Sequence, residues 1–186
     1  MKRKKRMIQK YTQTTYETCL ACSLLQAVDK IKSVKITQKK ELELINYSMK
    51  HSKDDFVLGH LDYIVKNFSV NVSRLIDNRI FYDWIIEFKT DDAIENKVEK
   101  INLKLIDKLL LNGSLILYLD AYQLFKISHA PHFITLLSRI GENYKIFDPW
   151  DGLIKTIDSN TLSKSIISLR NHLKFCPQVL VVGNQQ

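Results

Sequence analysis

Glycine and proline are scarce in this chain, five and three among 186 residues. Their scarcity excludes collagen-like, low-complexity and linker-dominated architectures, while a 45% hydrophobic content supplies a substantial core. The length suits a single domain over residues 1–186 and is too short for two comfortable ones. Three cysteines, an odd number, do not make a disulfide framework, so a reducing environment and a cytoplasmic home are expected. Long hydrophobic runs are missing as well. Residues 109–122 form the most apolar stretch, but Asn112, Gly113, Ser114 and Asp120 interrupt it long before it could cross a bilayer, so no transmembrane segment is expected. The first six residues are basic like the start of a signal peptide, yet Met7-Ile8 gives way at once to Gln9-Lys10 and no apolar core follows.

Acidic residues are in deficit, 20 against 28 basic ones, for a formal net charge of +8. Five of the excess charges sit in Lys2-Arg3-Lys4-Lys5-Arg6, part of a basic tail over residues 1–10 suited to holding an acidic partner or a membrane surface loosely. Elsewhere lysines alternate with acids, as in Lys97-Val98-Glu99-Lys100, which reads as a solvated face. No motif interleaves aromatic with basic residues, so specific nucleic-acid binding is not expected.

The chemistry is concentrated near the start. Between Gln13 and Leu25 an amide, a thiol and the opening of an apolar helix follow in quick succession. Leu20, Ala21, Leu24, Leu25 and Val28 recur at steps of three and four, predicting a helix from Cys19 to about Ile31 with one face buried. Thr18 or Glu17 is placed to cap it. A thiol in the first turn lies at the positive end of the helix dipole, which favours thiolate over thiol, and makes Cys19 a candidate nucleophile. Gln13, six residues earlier, offers a neutral donor for an oxyanion.

The same residues admit plainer readings: a buried structural cysteine and a surface glutamine. Cys19-Leu20-Ala21-Cys22 is also a CxxC, but a thioredoxin-like pair would follow a strand of a βαβ unit, and none is evident. Zinc would need a second ligand pair, and the remaining cysteine, Cys176, stands alone. Cys22, one turn after Cys19, reads as a small core residue.

Farther along, residues 41–50 and 54–67 read as amphipathic helices, residues 69–73 as a strand, and residues 81–88 and 94–111 as helices again. At Asn112-Gly113 the period changes. Residues 114–120, 132–138 and 143–148 read as strands, the last two joined by a hairpin around Gly141-Glu142. A turn at Pro149-Trp150-Asp151-Gly152, a strand over 153–157, a helix from Asp158 or Ser159 to about Asn171 and a strand over 178–182 complete the chain. The order predicts an α+β fold, a helical N-terminal half packed on a C-terminal antiparallel sheet.

That hairpin puts His132 at the start of one strand and Asp148 at the end of its neighbour, where antiparallel pairing brings them together. A histidine beside a carboxylate is the base and orienter a thiolate needs. His129 is a rival base in the loop before the strand. His51, His60 and His172 lie in helical stretches and are expected to face solvent or pack.

Gln13, five residues, then Cys19-Leu20-Ala21-Cys22 resembles the papain-like cysteine peptidases, in particular the branch that trims double-glycine leader peptides from bacteriocins, with its free-standing relatives. Where those enzymes carry Asp-Cys-Gly, this chain has Thr18-Cys19-Leu20. The strand over 114–120, His132-Phe133-Ile134-Thr135-Leu136 and Tyr144-Lys145-Ile146-Phe147-Asp148-Pro149 with Gly152 look like the second half of the same family. The likeness covers residues 13–25 and roughly 110–169. It implies a papain-like fold and a peptidase with Cys19 as nucleophile, His132 as general acid and base, Asp148 as orienter, and Gln13 with the Cys19 N–H as oxyanion hole. The substrate would be a peptide or protein, cut after small residues, with no cofactor or metal required. An acyl transferase with the same thiol, or a non-catalytic module binding a peptide or partner on the same frame, are the alternatives.

Overall fold

A computed structural model describes residues 8–51 and 55–184. The basic run at residues 2–6 lies outside the described residues. Seven strands form one sheet in the order β2-β1-β7-β3-β4-β5-β6. In chain order these are β1 (Val70–Ile76), β2 (Ile94–Val98), β3 (Leu115–Asp120), β4 (Pro131–Ile140), β5 (Asn143–Asp148), β6 (Leu153–Asp158) and β7 (Gln178–Asn184). The helices are α1 (Cys19–Lys32), α2 (Gln38–His51), α3 (Phe56–Phe68), α4 (Arg79–Ile85), α5 (Leu103–Leu110), the single turn α6 (Tyr122–Phe125) and α7 (Ser159–Asn171). No helix among the described residues is long and apolar enough to cross a membrane.

Successive strand residues point to opposite faces, and the sheet uses both. Val70, Val72, Ile116, Phe133 and Leu180 meet α1 and α3 on one side. Leu75, Leu117, Leu119, Ile134, Ile146 and Val179 meet Ile106 of α5 and Leu162 and Ile166 of α7 on the other. Each such aliphatic side chain contributes about 1.5–3 kcal/mol on full burial, so the sheet is the layer on which both sets of helices depend.

α1 departs from the one-sided amphipathic helix its spacing predicts. It is wedged between the sheet and α2 and α3, and every residue from Cys19 to Asp29 is buried. Two of the polar ones find partners, Ser23 Oγ donating to the Phe133 carbonyl (3.4 Å) and Gln26 Nε2 to the Gln9 carbonyl (2.5 Å), while Gln26 Oε1 has none. Gln9 in turn donates to the Val34 carbonyl and accepts from the Ile36 N–H, so the end of the expected tail is stitched into the fold. The predicted cap is also absent. The chain enters α1 through a 3₁₀ turn (Tyr16–Thr18), and Thr18, at φ −93° and ψ 11°, turns its hydroxyl back to the Thr15 carbonyl, 2.9 Å away. Ser33, in the left-handed region at φ 61°, ends the helix.

Further expectations need correction. Residues 94–111 are not one helix: Ile94–Val98 is β2, and α5 begins only after Asn102, whose side chain accepts from the Leu105 N–H. Ile94, Val98 and Ile101 fit a helical period, but Val98 is exposed and the segment instead pairs with β1, a distant contact that local spacing does not encode. That pairing is parallel, so the sheet is mixed, not antiparallel, and the first half of the chain contributes two of its strands. β1, α4 and β2 are thus a βαβ unit, with the Cys19 to Cys22 pair far from it in sequence on α1.

Candidate active site

An antiparallel hairpin builds the base of the site. β4 pairs with β5, and the hairpin between them turns at Gly141, where φ is 58°. It brings His132, near the start of β4, to Asp148, the last residue of β5, with Nε2 3.0 Å from Oδ1. Both are fully buried. Asp148 Oδ1 also accepts the Trp150 N–H at 3.0 Å, and Oδ2 accepts Lys155 Nζ at 2.5 Å. Burial favours the neutral acid, but the bonds from His132, Lys155 and Trp150 outweigh it and hold the Asp148 carboxyl below the usual carboxylate range.

Cys19 is the first residue of α1 and is 8% exposed. Burial pushes the His132 pKa down, but the hydrogen bond to Asp148 and the interaction with Cys19 overcome it, and the ring is held above its ordinary value. Nε2 is committed to Asp148, while the buried Nδ1 has no hydrogen-bond partner, the Cys19 thiol included, so Nδ1 is the nitrogen available to a thiol. Trp150 packs against the ring at 4.4 Å between centroids, tilted by 34°, Phe125 adjoins it at 6.2 Å, and Tyr16 packs on Trp150 at 5.5 Å. This aromatic wall keeps water from the imidazole and carboxylate, which strengthens their interaction.

Gln13 reaches the site on a segment held from two directions. Its N–H donates to the Pro149 carbonyl (2.8 Å), in the turn that follows Asp148. The flanking residues are tied to Glu41, at the start of α2, which accepts from Tyr11 Oη (2.5 Å), Thr14 N–H (2.8 Å) and Thr14 Oγ1 (2.5 Å). Burial raises the Glu41 pKa, yet the bonds from Thr14, Thr18 and Tyr11 together leave it below the ordinary value. The side-chain amide of Gln13 donates to the Thr15 and Tyr16 carbonyls at 2.7 and 3.0 Å, while its Oε1 is buried without a partner. Three of the buried polar atoms lacking a partner thus lie at this site: Gln13 Oε1, His132 Nδ1 and Trp150 Nε1.

The other thiols are differently placed. All three cysteines are free. Cys22 is completely buried, and burial with the nearby Glu41 charge pushes its pKa far up. Cys176 is raised as well, mainly by burial. His129 is bound to another carboxylate, Asp120, at 2.6 Å and packs against Tyr122 and His172. His60 is buried in α3, its Nδ1 2.7 Å from the Phe56 carbonyl, and burial lowers its pKa to about 4. Among the described residues, no group of three His, Cys, Asp or Glu is gathered that could hold a metal ion.

A groove of about 810 Å³ runs past Phe56, Ile80, Trp84 and Phe175 on the surface. Neither Cys19, His132 nor Asp148 lines it, but Tyr118 and Phe133 do, and both belong to the apolar cluster that contains Cys19. Glu41, Lys155 and Trp150 were not singled out by the sequence. Their roles depend on contacts across 27, 7 and 18 residues, to Thr14, Asp148 and His132, and none carries a local signature. No family model matches this chain, and no curated protein is significantly similar to it.

Proposed function

We propose that this protein is a papain-like cysteine peptidase acting on a peptide or protein, with a frame resembling the double-glycine leader peptidases. The observation that carries the reading is the buried His132–Asp148 pair, with one ring nitrogen on the carboxylate and the other without a partner. In the proposed cycle His132 Nδ1 takes the Cys19 proton, and the thiolate attacks the scissile carbonyl carbon. The carbonyl oxygen becomes an oxyanion that the Cys19 N–H and the Gln13 amide stabilise. Collapse of the tetrahedral intermediate breaks the C–N bond, and the imidazolium protonates the departing amine. Water, deprotonated by His132, then hydrolyses the thioester and returns the thiol. Asp148 fixes the ring orientation and stabilises the imidazolium throughout.

The Gln13 amide favours a second reading. Both of its N–H groups are engaged by the Thr15 and Tyr16 carbonyls, so an oxyanion must share or displace one of those bonds. A frame that binds peptides without cutting them would leave them as they are. The two readings separate when the full chain is incubated with a mixed peptide library and cleavage is followed by mass spectrometry. Cutting that is lost in Cys19→Ala and retained in Cys22→Ala supports the peptidase. Intact peptides, with no selective alkylation of Cys19 by iodoacetamide below pH 7, support the binding module.

A further inference from the structure

We propose that Lys155 is a positioning residue of this site, controlling through Asp148 how firmly His132 holds its proton; the proposal rests on the reading of Cys19, His132 and Asp148 as a catalytic set. Lys155 lies on β6, opposite Ile146 of β5. Its ammonium is 2.5 Å from Asp148 Oδ2, 2.6 Å from Asp151 Oδ2 and 4.3 Å from the centre of the Phe125 ring. Asp148 is therefore divided between two basic groups: Oδ1 faces the imidazole, and Oδ2 faces the Lys155 ammonium.

Two consequences follow from that division. Lys155 keeps the buried carboxylate ionised while His132 is neutral. It also cancels part of the carboxylate's field at the ring, so the imidazolium is less favoured than it would be beside Asp148 alone. The charged or titratable groups facing His132 are Cys19 from α1 and Asp148 from β5, with Lys155 and Asp151 joined to it through Asp148; Phe125 and Trp150 supply uncharged walls. By bridging Asp148 and Asp151, Lys155 also braces the turn whose Pro149 carbonyl holds Gln13.

The test is Lys155→Met, which keeps the stem and removes the charge, with Lys155→Gln as a second neutral variant and Lys155→Arg as the charge-retaining one. The His132 ring is titrated by NMR in each full-length protein, and the alkaline limb of kcat/KM is recorded alongside. The neutral variants should raise the His132 titration, and the alkaline limb with it, by about one pH unit, and Lys155→Arg should return both towards wild type. An unmoved His132 titration in both neutral variants overturns the proposal even if peptides are cleaved. A shifted titration in a protein that cleaves nothing upholds the role of Lys155 and instead removes the peptidase reading.

Discussion

Gly152 is where the segment carrying Gln13 rests on the turn carrying Asp148, and replacing it with alanine tests that contact directly. Its φ of +68° costs an L-residue about 1 kcal/mol. An added Cβ would also lie 2.8 Å from the Tyr11 carbonyl carbon, 2.9 Å from its oxygen and 2.9 Å from Thr12 Oγ1. Two of those neighbours are backbone and cannot swing away, so residues 11–12 must retreat by roughly half an ångström, an overpacking cost of about 2 kcal/mol. Gly141 provides the control: its φ is +58°, and nothing lies within 4 Å of its added Cβ. Gly141→Ala should therefore lose only the conformational part, about 1 kcal/mol or roughly 3 °C in Tm, and Gly152→Ala about 3 kcal/mol or roughly 9 °C. Urea and thermal melts measure both. The retreat also pulls on the Gln13 N–H to Pro149 bond, so Gly152→Ala should lower kcat by at least about tenfold, whereas Gly141→Ala should not. Equal destabilisation of the two variants would refute the reasoning, because it would mean that the Tyr11–Thr12 backbone is not seated on Gly152.

Asp148→Asn removes the anion that raises the His132 pKa and leaves the Lys155 charge without that counter-ion, so the alkaline limb of kcat/KM should fall by about one to two pH units. His129→Ala should leave that limb in place, since His129 is bound to Asp120; movement of the limb in His129→Ala alone would reverse the assignment of the two histidines. His60 predicts acid lability of a different origin. Its folded pKa, about 4, is below its unfolded value, so its contribution is present above about pH 6.5 and is lost as the pH falls towards 4. Between pH 7 and pH 5 this amounts to about 2 kcal/mol, which urea unfolding should detect in wild type and find missing in His60→Leu.

Much of this architecture was legible in the sequence because it is local. A short apolar run after Asn112-Gly113 marked β3, the turn around Gly141 joined β4 and β5 in a hairpin, and that hairpin placed His132 near Asp148. The three-and-four spacing after Cys19 located α1. What tertiary structure alone decided is long-range pairing and burial. Ile94–Val98 carries a helical period and becomes a strand because β1 offers it a parallel edge. α1 has an amphipathic sequence and is nonetheless buried on all sides, because helices on one side and the sheet on the other close around it. Glu41 reads as an ordinary first-turn acid, yet its carboxylate holds the segment that carries Gln13; Lys155 reads as a strand lysine, yet it shares Asp148 with His132. A carboxylate or an ammonium acquires such a role only from the groups that surround it after folding, and those groups come from parts of the chain that no local period connects.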